Sequence, residues 1–168
     1  GGFDAFVALP GRMERVVTIA RRTFYNDTTA TTPESTMAAL NSLSEPVWLL
    51  AGGGDKGVDM DELTDMIVRS ACGAAFYGMM APTLYKAVRR RSPTFPCVCR
   101  QTMAEAFEWC WKQSRPNDAI VLSPACSSHD QFQNFRHRGE VFVDLVASLA
   151  ARQPGADGFL LTKNDETL

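Results

Sequence analysis

Short apolar runs alternate along this chain with longer segments in which apolar positions recur every third or fourth residue. Runs that short fit strands, and the longer periodic stretches fit amphipathic helices. The pattern over 14–20 and 22–26, on either side of Arg21, predicts a short hairpin or two consecutive strands, and the runs over 47–51, 74–77, 97–99 and 119–122 predict four more. Helices are predicted over 33–43, 60–70, 81–90, 102–113 and 139–151. Thr32 is placed to cap the first, with Pro33 in its opening turn, and Asp59 to cap the second. Strand and helix in regular alternation imply an α/β fold, with a mostly parallel sheet, helices on both faces and the strand pair at the start. Ligands of such sheets bind beyond the carboxyl ends of the strands, so the loops after Asn26, Ala51 and Leu122 should meet at one edge. This domain is expected over 1–153, followed by a polar tail over 154–168 that opens with Pro154-Gly155.

Composition narrows the function. A chain of 168 residues, 45% of them hydrophobic, can bury one sizeable core and gives no reason for a second. Its net charge of −2 leaves no positive field for nucleic acid or an anionic membrane, and the basic run Arg89-Arg-Arg91 reads as the solvated end of a helix. No run approaches the roughly 20 apolar residues of a membrane span, and no secretory signal opens the chain, so a cytoplasmic protein is expected. Five cysteines (Cys72, Cys97, Cys99, Cys110 and Cys126) are odd in number and lack paired Cys-x-x-Cys spacing. They read as buried thiols, and with only His129 and His137 beside them no metal site is expected.

The polar chemistry concentrates in the three loops. Lys56 sits in a glycine-rich turn where backbone can approach a ligand closely, with Asp55 beside it to orient its ammonium. Its ammonium either pairs with a carboxylate or phosphate, or is simply solvated in a turn that needs glycine for its backbone. The turn lacks Walker A spacing. Thr28, Thr29, Thr31 and Thr32 precede a helix N-terminus, where hydroxyls serve either to hold an anion or to cap. Ser127, Ser128, His129 and Asp130 raise a nucleophile, but adjacent residues rarely form a triad and no Gly-x-Ser-x-Gly elbow is present.

Taken together, Phe24-Tyr-Asn-Asp-Thr-Thr-Ala-Thr31, Gly52-Gly-Gly-Asp-Lys-Gly-Val-Asp59 and the long segment from Leu122-Ser-Pro-Ala-Cys-Ser-Ser-His-Asp130 to Phe142 resemble the C-terminal domain of the D-glutamate-adding Mur ligases. Leu9-Pro-Gly-Arg12 resembles the segment that opens that domain, and the likeness runs from about Phe6 to Val146. It implies a Rossmann-like domain that presents the incoming amino acid, with two further domains for the UDP-sugar and for ATP. It also implies ATP and Mg²⁺, bound mainly by the central domain, and a reaction joining D-glutamate to UDP-N-acetylmuramoyl-L-alanine through an acyl phosphate in peptidoglycan precursor synthesis. By matched position, Thr31, Lys56 and Ser128 would hold D-glutamate, with backbone around His129 and Phe135 completing the pocket. Arg12 would face the nucleotide phosphates and Asp27 the ribose; no catalytic residue falls within this domain alone. The expected protein is a monomer without nucleic-acid or membrane partners, and the chain a part of a larger ligase that is inactive by itself. A different acceptor amino acid, or a binding module without catalysis, are the competing readings. The chain departs from the family pattern at Gly11, where a histidine is usual, and at Thr29 and Thr32, where lysine and asparagine are usual.

Overall fold

The computed structural model describes residues 9–154, so the expected polar tail, apart from Pro154, lies outside the described residues. The elements are β1 (Glu14–Ile19), β2 (Arg22–Asn26), α1 (Pro33–Ser42), β3 (Val47–Gly52), α2 (Asp61–Ser70), β4 (Gly73–Tyr77), α3 (Ala81–Arg91), β5 (Cys97–Arg100), α4 (Met103–Gln113), β6 (Ala119–Ala125) and α5 (Phe135–Arg152). They build one six-stranded sheet in the order β1-β2-β6-β3-β4-β5. Only the β1–β2 pair is antiparallel. That pair is therefore the sheet's edge, joined in parallel to β6, and not a separate opening ribbon.

Alternate residues of the central strands feed two cores. On one face Val47, Leu49, Phe76 and Val121 pack with Leu40 of α1, Leu63 and Ile67 of α2, and Leu84 and Val88 of α3. On the other, Trp48, Leu50, Ala75 and Leu122 pack with Phe107 of α4 and Phe142, Val146 and Leu149 of α5. A strand buried on both faces reads as a continuous apolar run, which is why the sequence shows β3 and β4 so plainly.

Four expectations are corrected. β6 runs past Leu122 to Ala125, because Ser123 and Pro124 occupy an irregularity opposite β3 between Leu50 and Gly52, where proline's missing N–H breaks no ladder bond. α5 starts at Phe135, four residues before Gly139, because the Asn134 side chain accepts the His137 N–H at 2.8 Å and caps it. Asp59 accepts the Asp61 N–H at 2.8 Å, but Met60 holds the cap position of α2, so Asp59 braces the approach to the helix. The basic run is not merely solvated: Arg91 pairs with Asp61 and Asp65 of α2, and Arg89 stacks over Tyr85 and donates to Pro93 O at 2.7 Å. All five cysteines are free, with Cys97, Cys110 and Cys126 buried and Cys72 and Cys99 only half-buried.

The β1–β2 hairpin turns through Ala20 (φ 47) and Arg21 (φ 65). Two consecutive positive φ values match the twist of a two-residue hairpin, but neither residue is at ease there. Asparagine visits this conformation more readily, so Ala20→Asn should stabilise the fold by up to about 1 kcal/mol. Urea unfolding that shows no gain, or a loss, would contradict this.

Candidate functional site

β6 lies between β2 and β3, and its outgoing loop leads to α5 on one face of the sheet while the loop leaving β3 leads to α2 on the other. Such a divergence opens a crevice at the carboxyl ends of the two strands. Glycine lets the loops close on it: Gly53 has φ +139, and a Cβ there would collide with the Ser127 carbonyl. Gly54 N–H donates to Ser127 O at 3.0 Å, and Ala125 N–H to Ala30 O at 2.9 Å, so the three expected loops are fastened to one another by backbone.

Thr31, Gly54, Lys56, Val58, Ala125 and Cys126 line a cavity of about 170 Å³ at this junction. Lys56 Nζ donates to Thr31 O at 3.1 Å, which holds an otherwise exposed cation at the cavity. Asp55 does not orient it. Its Oδ1 accepts the Gly57 N–H at 2.7 Å and braces the turn instead. Burial pushes the Cys126 thiol up to about 12, so it stays protonated as a neutral wall.

The other threonines spend their hydroxyls on hydrogen bonds within the chain. Thr28 donates to Phe135 O at 2.6 Å, Thr29 to Gly11 O at 3.0 Å, and Thr32 caps α1 by accepting the Ser35 N–H. Ser128 is buried and its carbonyl accepts the Phe132 N–H, whereas its neighbour His129 is exposed. Asp130 faces away from both to accept the Met79 N–H, so these adjacent residues do not converge as a triad. Phe135 is 45% exposed and lines a separate groove of about 840 Å³ with Leu9, Arg12 and Arg136. Its side chain is thus not gathered into the Lys56 cavity.

Arg12 and Asp27 share a third hollow, of about 350 Å³, with the face of α1 that carries Ser35, Ala38, Ala39 and Ser42. Arg12 is exposed. Asp27 is buried; its Oδ1 accepts the Met13 N–H at 3.0 Å and its Oδ2 the Ser123 hydroxyl at 2.8 Å, so it anchors the turn that displays Arg12. Among the described residues no group of three or more His, Cys, Asp or Glu is placed to hold a metal ion.

Sequence reasoning missed Arg138. It is fully buried on α5 and donates to Thr28 Oγ1, Cys126 O and Thr28 O at 3.1, 2.9 and 2.8 Å. The signal was present: Arg138 continues the buried stripe of Phe142, Val146 and Leu149 backward by one helical step. Gly139 beside it lets α5 approach closely, since a Cβ there would press on Thr28 Cγ2 and Asn26.

Burial raises the Asp27 pKa above its ordinary 3.8, against the lowering effects of the Ser123 and Met13 hydrogen bonds and of Arg12. The folded state then holds the proton more tightly than the unfolded chain. Stability from this group is fully present below the ordinary aspartate value and is lost as pH rises through the raised one. Asp27→Asn cannot titrate, so the stability of the parent minus that of the variant should fall with pH across that acidic window and then level off. A difference independent of pH in urea unfolding would overturn the assignment.

The glutamate ligase domain family of the Mur ligases matches residues 11–126. The UDP-N-acetylmuramoylalanine–D-glutamate ligase of Symbiobacterium thermophilum is 36% identical over 145 residues, covering 86% of this chain and 32% of that protein. The enzyme of the same name from Bordetella parapertussis is 39% identical over 142 residues, covering 84% of this chain and 27% of that protein. The chain spans about a third of the length of the curated relatives it matches. Among solved structures, folylpolyglutamate synthase of Mycobacterium tuberculosis, complexed with ADP and AMPPCP, superposes with a TM-score of 0.61 at 17% identity over 84% of this chain and 33% of that one. A domain of a Haemophilus ducreyi UDP-N-acetylmuramate:L-alanyl-γ-D-glutamyl-meso-diaminopimelate ligase gives 0.58 at 18% identity, over 82% of this chain and 99% of that one. At such identities the structures share the fold, and the sequence matches add the family: this chain belongs to the Mur ligases as their glutamate ligase domain.

Proposed function

We propose that this chain is the acceptor-binding, C-terminal domain of a cytoplasmic, ATP-dependent ligase that joins D-glutamate to UDP-N-acetylmuramoyl-L-alanine in peptidoglycan precursor synthesis. The observation that carries the reading is the placement of Lys56: its ammonium is tethered to Thr31 O at the crevice where the loops after β2, β3 and β6 are sewn together. A carboxylate entering that crevice meets a positioned cation. Lys56, Thr31 and the Ser128 hydroxyl hold the side-chain carboxylate of D-glutamate. Backbone at His129 and at Phe135 adds donors, the latter from the first turn of α5, whose N–H groups point out of the helix and favour an anion.

The domain's contribution is position. Holding the acceptor amine in line with an acyl phosphate replaces a bimolecular encounter with a near-unimolecular one. Amine attack forms the amide bond as the bond to phosphate breaks. Arg12 faces the phosphates of ATP from the hollow that Asp27 shares, with Asp27 on the ribose side. Mg²⁺ would be held mainly by the central, ATP-binding domain of the ligase.

The test is ADP release by the full-length protein with UDP-N-acetylmuramoyl-L-alanine and a panel of D- and L-amino acids. D-glutamate alone should support turnover; preference for another amino acid would overturn the acceptor assignment. The 168-residue chain by itself should neither hydrolyse ATP nor ligate, and turnover by the purified chain would contradict its role as one part of the catalyst.

In the full-length enzyme Lys56→Ala should lower kcat/KM for D-glutamate by roughly ten- to a hundredfold or more, since a hydrogen bond to a charged group contributes about 1.5–3 kcal/mol. The KM for ATP should move little. Ser128→Ala should cost less, a neutral hydroxyl being the weaker partner. Equal, small effects of both substitutions would place the carboxylate elsewhere.

A further inference from the structure

Beneath the loop that carries Ser128 and His129 lies a polar cluster that ligand-facing roles leave unused. Tyr77 closes β4 with no exposure to solvent, and among the described residues neither its hydroxyl nor Asp130 Oδ1 has a hydrogen-bond partner. Asp130 Oδ2 accepts the Met79 N–H at 3.1 Å, which fastens the loop after β6 to the turn between β4 and α3. The close approach is built into the chain: Gly78 has φ +75, and a Cβ there would strike Asp130 Oδ2.

Arg138 reaches the same region from α5. Its three hydrogen bonds run to carbonyl and hydroxyl oxygens, and among the described residues no carboxylate stands within salt-bridge distance of it. A guanidinium has five N–H groups, so two are left over. Cys126, whose carbonyl Arg138 holds, lies against Gly53, and Gly53 lies against Gly78, the neighbour of Tyr77 that also abuts Asp130. A buried donor or acceptor without a partner carries its full desolvation cost, and here a phenol, a carboxylate oxygen and spare guanidinium N–H groups occupy one region. A single water, with two donors and two acceptor positions, can satisfy all three kinds at once, and buried waters typically make about three such bonds.

We propose that one internal water links Asp130 Oδ1, the Tyr77 hydroxyl and the Arg138 guanidinium, and that through this link Asp130 is a positioning residue of the acceptor pocket. The water donates to Asp130 and accepts from Arg138, and Tyr77 completes its coordination. Asp130 is thereby held by Met79 on one oxygen and by the water on the other, and the loop from Cys126 to Asp130 cannot drift from the crevice. The consequence for the acceptor rests on the D-glutamate reading; the bridge itself does not.

A crystal structure of the full-length enzyme should show one ordered water within about 3.2 Å of the three groups. Hydrogen exchange and kinetics should agree with it. Asp130→Ala should speed exchange of the Met79 amide at least tenfold and raise the KM for D-glutamate fivefold or more, with the KM for ATP within twofold. Tyr77→Phe, which leaves the Asp130–Met79 bond intact, should move the same quantities in the same direction by a smaller factor, and it carries the test if Asp130→Ala does not fold. An empty space between the three groups, or unchanged Met79 exchange in both variants, overturns the bridge. A bridge that is present while the D-glutamate KM is unmoved overturns the positioning role. If the enzyme takes a different acceptor, the functional reading fails while the water and the exchange rates still decide the bridge.

Discussion

Arg138 is a guanidinium held where solvent does not reach it, and the loops after β2 and β6 take their shape from its hydrogen bonds. Burying such a charge costs several kcal/mol before any partner is counted, and burial accordingly lowers its pKa. That cost is offset only if the acceptors are already in place. Thr28 supplies two of them, its carbonyl and its hydroxyl, and Cys126 the third. The Thr28 hydroxyl in turn donates to Phe135 O in the first turn of the same helix. Three segments distant in sequence thus share one donor group, and loss of any acceptor leaves the charge short of partners.

The crevice inherits its rigidity from this arrangement. Lys56 is useful to an anion only if Thr31 and the loop after β6 stay beside it, and both flank segments that Arg138 joins. Gly53, Gly54 and Ser127 add the third side, because glycine lets the loop after β3 lie directly against backbone. A crevice set in this way binds a ligand with little further ordering, since ordering costs are met during folding and not at each binding event.

Much of this was legible in the sequence, for identifiable reasons. The central strands announced themselves as apolar runs because both of their faces are covered. The crevice announced itself through glycines beside Lys56. The hairpin turn was not marked, since Ala20 and Arg21 are not the Asn-Gly pair that signals two positive φ values. Pro124 hid the end of β6, because a proline in a central strand argues against a strand unless an irregularity receives it. The resemblance joins only the Phe135 backbone to the Lys56 pocket, and the place of its side chain, on the larger groove, depends on where Asn134 caps α5. Arg138 was legible only to a count of helical periodicity that includes charged residues.

The departures from the family pattern at Gly11 and Thr29 are one feature in space. The Gly11 carbonyl accepts both the Thr29 N–H, at 3.0 Å, and the Thr29 hydroxyl. Gly11 has φ +75, and a Cβ there would meet Thr28 Cγ2 at 2.8 Å. A larger residue at position 11 would therefore push on the same threonine whose carbonyl and hydroxyl serve Arg138. A long cation at position 29 would give up the hydroxyl that ties this turn down. The two small residues support each other: glycine permits the tight approach, and threonine fastens it. Their effect is to set the turn that presents Arg12 firmly against the loop after β2. The arginine side of the domain is thus coupled through Thr28 to the same buried guanidinium that shapes the Lys56 crevice.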